Sequence, residues 1–299
     1  MTKKDGVIII DKEFGISSFG VVDSVKHVIK AKVGHAGTLD PFATGVLIIL
    51  INQGTKLSNF LMSQDKVYRA AIKLGVETDT QDFTGRVTKI KSTGGIKEGD
   101  VRRNIFHFLG IIKQIPPAYS AIHHKGKRAY EFARNGLAVD LEERDVRVDY
   151  INILSVDIPD VWVEIGCGSG TYIRTLASDL GRSLNVGAHV TFLRRVRSGS
   201  FNVSNAITLK EIKKHNDNDK IEDFIIPLKD ALKGITEAEV SERLAKKIRN
   251  GYRPLMYELN WREKGPSSLD KYIKVVMGKE LVAILKDTGN ILDIIRVFK

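Results

Sequence analysis

The stretch that decides the fold is Gly34-His35-Ala36-Gly37-Thr38-Leu39-Asp40-Pro41-Phe42-Ala43-Thr44-Gly45. It leads into an apolar run, residues 46–51, which predicts a buried strand. Glycine permits backbone angles that other residues resist, and Pro41 fixes its own φ, so a sharply shaped loop should precede that strand. An aspartate beside a proline is usually a turn former. Here Asp40 shares its loop with His35 and Thr38, and polar side chains on a loop that feeds a rigid strand favour a functional site.

The composition is that of an ordinary soluble globular protein. Of the 299 residues, 42% are hydrophobic and 28% are charged, and the length suggests one large or two unequal domains. No apolar run approaches the roughly 18 residues of a membrane span, and the N-terminal residues lack the apolar core of a signal peptide. We therefore expect a cytoplasmic protein that has no membrane segment.

The net charge of +11 is the most informative bulk property. It favours a polyanionic partner such as nucleic acid, although a merely basic soluble protein is the alternative. The single cysteine, Cys167, excludes an internal disulfide and any multi-cysteine zinc site. The histidines are scattered along the chain, so we expect no metal, and we also expect no cofactor.

Three further segments carry chemically informative side chains. Residues 66–75 alternate in the manner of a strand, with Tyr68 on the apolar face, where a tyrosine is usually part of the core. Residues 77–85 are acidic and rich in turn formers, but they lack the ligand spacing of a calcium loop. A second alternating strand, residues 160–167, runs through a glycine turn into a helix that begins near Arg174.

The glycine turn allows an alternative interpretation. Its Glu164-x-Gly166-x-Gly168-x-Gly170 pattern matches the first motif of S-adenosylmethionine methyltransferases. Those enzymes place an acidic residue at the end of the next strand to hold the ribose, as dinucleotide folds do. The next strand here, residues 188–197, contains three arginines and no acid. An RNA methyltransferase is therefore one alternative, and a non-catalytic RNA-binding or RNA-chaperone protein is another.

The sequence resembles the TruB family of tRNA pseudouridine synthases. The loop around Asp40 matches the family signature Gly-His-x-Gly-x-Leu-Asp-Pro-x-Ala-x-Gly, and residues 170–174 match the family sequence Gly-Thr-Tyr-Ile-Arg. A third motif, Asp-Lys-Pro-x-Gly, is altered because Glu13 stands where the family has proline. The turn after Lys12 is therefore expected to be less rigid than in the family.

The resemblance implies that the protein isomerises uridine 55 in the T loop of tRNA to pseudouridine, with Asp40 as the catalytic aspartate. It also implies that Arg174 pairs with Asp40 and that Tyr68 stacks on the target uracil. Tyr172 and Leu193 are expected beside the same nucleotide. Whether Asp40 acts as a nucleophile or as the base that starts glycal formation is left open by the sequence.

Four more residues are expected to contact the substrate or its neighbours. His35 is assigned to holding the RNA conformation or filling the space that the flipped base vacates, and Asp82 to orienting the tyrosine or the base. Lys56 matches a family lysine. Because a helix N-terminus is a poor position for a lysine, we expect it to contact a phosphate. Lys12 is either a solvated turn lysine or an RNA contact.

The resemblance implies an α+β fold, in which helices flank the mixed, mostly antiparallel sheet of a pseudouridine synthase. We expect a catalytic domain at 1–224, with an RNA-gripping insertion at about 115–147 that interleaves cations and aromatics. Residues 208–219 are polar and rich in lysine, which predicts a linker. A small PUA-like, β-rich RNA-binding domain is expected at 225–299. The expected partner is the T loop and T stem of tRNA, bound by a monomer that needs no protein partner.

Overall fold

The computed structural model describes residues 4–120, 122–124, 126–137, 139–216, 221–263, 271–289 and 291–299. The helices are α1 Ser18–Ile29, α2 Ser58–Met62, α3 Glu98–Ile105, α4 Ala129–Arg134, α5 Ile173–Ser183, α6 Leu209–Asn216, α7 Leu228–Ala231 and α8 Glu242–Arg249. Short 3-10 helices cover Asn52–Leu57, Phe106–Phe108, Val203–Asn205, Ile221–Phe224 and Met256–Glu258. None of the described helices is long and apolar enough to cross a membrane.

The strands fall into two groups along the chain. The first group is β1 Gly6–Lys12, β2 Val33–Ala36, β3 Thr44–Ile51, β4 Lys66–Leu74, β5 Val76–Thr78, β6 Val87–Ile90, β7 Gly110–Gln114, β8 His123–His124, β9 Lys127–Arg128, β10 Arg144–Asp157, β11 Asp160–Cys167, β12 Ala188–Ser198 and β13 Phe201–Asn202. The second group is β14 Thr236–Glu239, β15 Asn260–Glu263, β16 Tyr272–Met277, β17 Glu280–Asp287 and β18 Leu292–Val297.

The first group builds one large sheet in the order β1-β3-β12-β4-β11-β10-β7, with β2 added beside β3 and β13 beside β12. Within the described residues its strand pairs are antiparallel, apart from the parallel pair β3 and β12. Helices flank the sheet, and α5 packs with α3 against β4, β11 and β12. The predicted mixed, mostly antiparallel α+β fold is confirmed.

The strand after the Asp40 loop is buried on both faces. Val46, Ile48 and Leu50 of β3 belong to one hydrophobic cluster, and Leu47, Ile49 and Ile51 belong to another. This double burial explains why the sequence of β3 is a continuous apolar run instead of an alternating one. The loop that carries Asp40 is therefore attached to one of the most deeply buried strands of the molecule.

The structure contradicts the methyltransferase alternative. Strand β11 runs through the glycine turn into α5, and the chain then returns as β12. However, β4 lies between β11 and β12 and is antiparallel to both. A doubly wound methyltransferase domain would require a parallel sheet around this motif. The glycine turn therefore serves a different architecture from the one that its local pattern also suggests.

The second sheet has the order β15-β14-β16-β17-β18 and packs against α8. It confirms a β-rich C-terminal unit, while the PUA-like assignment and the boundary at 225 stay predictions. The linker prediction for 208–219 is wrong over α6, because Ile212 is fully buried in a cluster with α1. Residues 217–220 of that range lie outside the described residues.

The predicted insertion at about 115–147 follows β7 and includes the short β8–β9 hairpin and α4. It folds back on itself, since the Ala129 amide donates to the Ile122 carbonyl at 2.8 Å and the Tyr130 amide to the Ser120 carbonyl at 3.1 Å. Residues 121, 125 and 138 lie outside the described residues. The role of this segment in gripping RNA stays a prediction.

We expect Gly45→Ala to destabilise the protein by about 3 kcal/mol or more. Gly45 has a φ of +101°, and a Cβ there would lie 2.2 Å from the backbone oxygen of Arg195. The clash falls inside the parallel β3–β12 pair, where neither backbone can move without breaking the pairing. Urea unfolding followed by circular dichroism would measure the loss.

Gly99→Ala is the matched control. Gly99 lies in the first turn of α3, and a Cβ there would have no atom within 4 Å. Alanine should therefore be neutral or stabilise the protein by about 0.5–1 kcal/mol. Equal stability of the two variants would contradict the importance of the β3–β12 approach.

Candidate active site

A cavity of about 350 Å³ lies beside the large sheet. Its walls come from the Asp40 loop, β4, the segment 168–174 and β12. Five of the sequence-predicted site residues line it, and these are Asp40, Tyr68, Tyr172, Arg174 and Leu193. Segments that are far apart in the sequence therefore meet at one concave site of the size usual for ligand pockets.

The central contact is an ion pair between Asp40 and Arg174. Nε of Arg174 lies 2.9 Å from Oδ2 of Asp40, and Nη2 donates to Oδ1 at 3.2 Å. The arginine side chain is 3% exposed and the aspartate side chain is 32% exposed. The guanidinium is thus fixed in the protein interior, and its two-pronged contact orients a carboxylate that reaches the cavity.

The remaining donors of Arg174 are also used. Nη1 donates to the Thr80 carbonyl at 2.8 Å, and Nη2 donates to the Tyr119 carbonyl at 2.9 Å. Nη1 also lies 3.5 Å from Oδ2 of Asp82. A buried charge is costly unless it is paired and hydrogen-bonded, and these acceptors meet that requirement. Arg174 therefore joins the start of α5 to three other segments.

Asp82 lies behind the ion pair, where its carboxylate faces Arg174. Its buried carboxylate accepts hydrogen bonds from the Thr84 amide at 2.9 Å and from the Thr80 hydroxyl at 2.9 Å. These contacts hold the 79–85 turn in shape and leave Oδ2 facing Arg174. Asp82 therefore contacts the arginine of the ion pair, and its expected role in orienting Tyr68 or the base stays a prediction.

The environment of Asp40 shifts its protonation equilibrium. Burial raises the pKa of the carboxyl above its ordinary value of 3.8, and the Arg174 charge opposes this shift. Asp82 adds to the rise, while Lys12 acts against it. The balance between a dry environment and nearby cations is characteristic of carboxylates at functional sites.

Lys12 is neither a solvated turn lysine nor placed to bind substrate. It is fully buried, and Nζ donates to the backbone carbonyls of Ile16 at 2.7 Å, Glu13 at 3.0 Å and Pro41 at 3.1 Å. Burial lowers the pKa of Lys12 to about 8, although the Asp40 charge opposes the shift. The solvated-turn prediction is wrong, because the ammonium group clamps the turn after β1 to the Asp40 loop.

Arg195 holds the other side of the same loop, and sequence reasoning missed it. Its buried guanidinium donates to the Val46 carbonyl at 2.8 Å, the Gly37 carbonyl at 2.9 Å and the Thr38 carbonyl at 3.4 Å. It lies opposite Tyr68 in the β12–β4 pairing and lines the cavity. No local pattern distinguishes it from the neighbouring arginines of β12.

Lys66 is a second cavity residue that the sequence did not single out. It is buried, and Nζ donates to the carbonyls of Met62 and Gln64. Burial lowers the pKa of Lys66 to about 8, and the charge of Arg195 contributes to the shift. Strand alternation was the available signal, because a residue two positions before Tyr68 lies on the same face.

Lys56 and His35 are not among the described residues that line the cavity. Nζ of Lys56 donates to the Val297 carbonyl at 2.7 Å and lies 5.3 Å from the ring centroid of Phe298, so it contacts the C-terminal unit. His35 lies in β2 opposite Ile49. Its buried Nδ1 has no hydrogen-bond partner among the described residues, and burial lowers the pKa of the ring. The substrate contacts assigned to both stay predictions.

The part of the chain that the structure describes contains no cluster of three or more histidine, cysteine, aspartate or glutamate side chains that could hold a metal ion. Cys167 is a buried free thiol whose pKa burial raises to about 12. Among the residues that the structure describes, the charged groups lining the cavity are the carboxylate of Asp40 and the cations Lys66, Arg174 and Arg195.

Comparison with known sequences identifies relatives over nearly the whole chain. Residues 26–173 match the model of the TruB family pseudouridylate synthase N-terminal domain, and residues 174–233 match that of the tRNA pseudouridylate synthase B C-terminal domain. The tRNA pseudouridine synthase B of Syntrophus aciditrophicus (strain SB) is 38% identical over 98% of this chain and 91% of its own. That of Clostridium tetani (strain Massachusetts / E88) is 42% identical over 83% of this chain and 85% of its own.

Solved structures are also similar to this chain over nearly its whole length. A chain in the crystal structure of a Cbf5-Nop10-Gar1 complex superposes with a TM-score of 0.76 at 26% identity, covering 98% of this chain and 85% of that one. A chain of an H/ACA RNP bound to a substrate RNA containing 2'-deoxyuridine gives a TM-score of 0.74 at 25% identity, with the same coverage.

We expect Lys12→Met to lower the free energy of unfolding by on the order of 3 kcal/mol. Methionine fills much of the same space but removes the buried ammonium group that donates to three backbone carbonyls, including that of Pro41 beside Asp40. Urea unfolding would measure the change. Lys32→Met is the control, since Lys32 is exposed just before β2 and should change stability by less than about 0.5 kcal/mol. A Lys12→Met protein as stable as this control would show that the clamp is dispensable.

Proposed function

Because the chain belongs to the TruB family of pseudouridylate synthases, we propose that it isomerises uridine 55 in the T loop of tRNA, with Asp40 as the catalytic carboxylate. Family membership makes the protein a pseudouridine synthase that acts on RNA. The observation that carries the finer proposal is the Asp40–Arg174 pair at the edge of a cavity that Tyr68 also lines.

The reaction requires little beyond a well-placed carboxylate and a shaped cavity. The N1–C1′ bond of uridine breaks, the uracil turns, and a C5–C1′ bond forms. The proton on C5 leaves to solvent and N1 gains a proton, so the product is an isomer of the substrate. No redox change or group donor enters this balance.

Asp40 acts in its ionised form in either of the two open mechanisms. As a nucleophile it would bond to the nucleoside, and as a base it would take a ribose proton to start glycal formation. Both need the carboxylate held close to the reacting atoms in one orientation, which the Arg174 fork supports. The net charge of +11 supports binding of the tRNA polyanion.

Tyr68 supports the capture of a flipped base. Removing the uridine from its stack costs a few kcal/mol, and stacking on an aromatic ring returns roughly 1–3 kcal/mol. Burial raises the pKa of Tyr68, so its ring stays neutral as a stacking surface. Leu193 and Tyr172 add an apolar and an aromatic wall to the same cavity.

The proposal also includes the RNA partner, the cellular location and the oligomeric state. The relatives are tRNA pseudouridine synthases, which supports tRNA as the partner. Binding through the T loop and T stem and a cytoplasmic location are part of the same proposal. Action as a monomer that needs no protein partner is part of the same proposal.

We expect Asp40→Asn to abolish turnover, by about a thousandfold or more, while tRNA affinity stays within a few-fold. Asparagine keeps the shape but removes the charge that either mechanism needs. The measurement is tritium release from a tRNA transcript carrying 5-tritiated uridine, without added cofactor, together with filter binding.

Two controls make this result specific. Asp157→Asn changes an exposed aspartate at the end of β10 and should leave release unaltered. A transcript with cytidine at position 55 should release no tritium. Turnover by Asp40→Asn would exclude Asp40 as the catalytic group, and release from the cytidine-55 transcript would exclude position 55 as the sole target.

The pH dependence of kcat/KM should reflect the pKa of the buried Asp40 carboxyl. Because burial raises the pKa of Asp40 above 3.8, the acid limb of kcat/KM should lie at a higher pH than an ordinary aspartate would give. Activity is then lost as the pH falls through that pKa and Asp40 becomes protonated. Asp82→Asn removes a negative charge that raises this pKa, so the acid limb should move to lower pH.

Asp79→Asn is the control for this shift. Asp79 belongs to the same turn, but its carboxylate pairs with Arg86 at 3.2 Å instead of with Arg174. Its substitution should leave the acid limb in place. An acid limb that moves upward in Asp82→Asn, or equally in both variants, would contradict direct coupling between Asp82 and Asp40.

A further inference from the structure

Three phenylalanines form a row from the core to the surface, and none of the interactions described above uses it. Phe42 and Phe83 meet edge to face with ring centroids 5.7 Å apart, and Phe83 stacks on Phe14 at 6.2 Å with 15° between the planes. Phe42 is 6% exposed, Phe83 is 42% exposed and Phe14 is 64% exposed. The row thus begins in the core and ends with an aromatic face in solvent.

The Phe14 end of the row is fastened to the Asp40 loop. Phe14 lies in the turn after β1, where the Gly15 amide donates to the Pro41 carbonyl at 2.9 Å. Lys12 clamps the same turn to the same carbonyl at 3.1 Å. The position of the outermost ring is therefore set by the backbone that also carries Asp40.

The other two rings are equally fixed. The Phe83 amide donates to the Val190 carbonyl of β12 at 3.0 Å, and the preceding residue, Asp82, faces Arg174. Phe42 follows Asp40 by two positions and packs in the core cluster of the large sheet. All three rings therefore belong to segments that meet at the Asp40–Arg174 pair.

An aromatic stack that is held in place and faces solvent is suited to binding a flat partner. A single exposed apolar side chain is ordinary, but a pre-ordered pair loses little conformational entropy when a flat partner binds it. Bases displaced from an RNA stack are such partners, and they bind to aromatic side chains in a sequence-tolerant way. An enzyme that extracts one uridine from a folded loop disturbs the stacking of the neighbouring nucleotides as well.

We propose that the exposed face of Phe14, backed by Phe83, stacks on an RNA base next to the target uridine and holds it outside its own stack. This rests on the proposed function, because it requires a tRNA whose target uridine lies at Asp40. Tyr68 would then hold the reacting base, while the phenylalanine row holds a neighbour at the rim of the site.

The test compares Phe14→Leu with Phe14→Trp in the full-length protein. Leucine keeps an apolar side chain but removes the ring, so the Kd and KM for tRNA should rise about fivefold or more with little change in kcat. Tryptophan keeps a ring face and should restore wild-type values. A merely structural apolar contact would tolerate leucine at least as well as tryptophan.

A second readout detects the stacking itself. The transcript carries 2-aminopurine in turn at the nucleotide on each side of the target, and its fluorescence is followed as protein is added. At one of the two positions, quenching should occur with the wild-type and Phe14→Trp proteins and be lost with Phe14→Leu.

The chain offers a matched control in a second exposed aromatic pair. Trp162 and Phe192 lie 5.3 Å apart on β11 and β12, with 39% and 36% exposure. Trp162 lies between core residues Val161 and Val163, so it faces away from the core that adjoins the cavity. Phe192→Leu should leave Kd, KM and the fluorescence unchanged.

The outcomes separate this proposal from the proposed function. Unchanged binding and fluorescence in Phe14→Leu, or equal losses in Phe14→Leu and Phe14→Trp, would overturn the stacking proposal alone while tritium release continues. Absence of tritium release by the wild-type protein would overturn the proposed function and this proposal with it.

Discussion

The buried guanidinium of Arg174 is the constraint on which the site depends. An arginine cannot lose its proton in the interior, so its five N–H donors must find acceptors when it is buried. Here the acceptors are the Asp40 carboxylate, the Asp82 carboxylate and the carbonyls of Thr80 and Tyr119. The Asp40 loop, the 79–85 turn and the start of the insertion must therefore converge on the first turn of α5. Removing one acceptor would leave a buried charge less than fully compensated, so these segments are expected to order together.

The Asp40 loop is held by cations on both sides. Lys12 binds the Pro41 carbonyl from one side, and Arg195 binds the Gly37 and Thr38 carbonyls from the other. Carbonyl oxygens satisfy these donors but carry no net charge, and the positive charges of Arg174 and Lys12 both oppose the rise in the pKa of Asp40 that burial causes. This explains how a carboxylate in a dry site can still be oriented in its charged form. Glycine occupies position 37 because φ there is +90°, a backbone conformation that other residues rarely adopt.

The sequence predicted the fold and the central pair, but not the partners of several polar residues. Strand alternation placed Tyr68 on the correct face, and the family motifs brought together Asp40 and Arg174, which are 134 positions apart. A local pattern shows that a lysine follows a strand or begins a helix, but not which distant backbone folds over it. The contacts of Lys12 and Lys56 could not be predicted for that reason, because their acceptors at Pro41 and Val297 are 29 and 241 positions away. The glycine turn was ambiguous for a related reason, since its meaning depends on β4 lying between β11 and β12.

The sequence likewise does not show how the catalytic part and the C-terminal unit pack against each other. Composition changes after residue 201, which suggested a linker and a separate C-terminal unit, yet the packing is continuous across this region. Helix α7 contributes Leu228 and Ala231 to a cluster that also contains residues of β1, β3, β16 and β17. Phe298 is buried in the same cluster, and Lys56 lies over its ring. A large apolar contact of this kind restricts relative motion between units. The second sheet is therefore held in a fixed relation to the large sheet that carries Asp40, and Lys56 contributes to that junction through Val297 and Phe298.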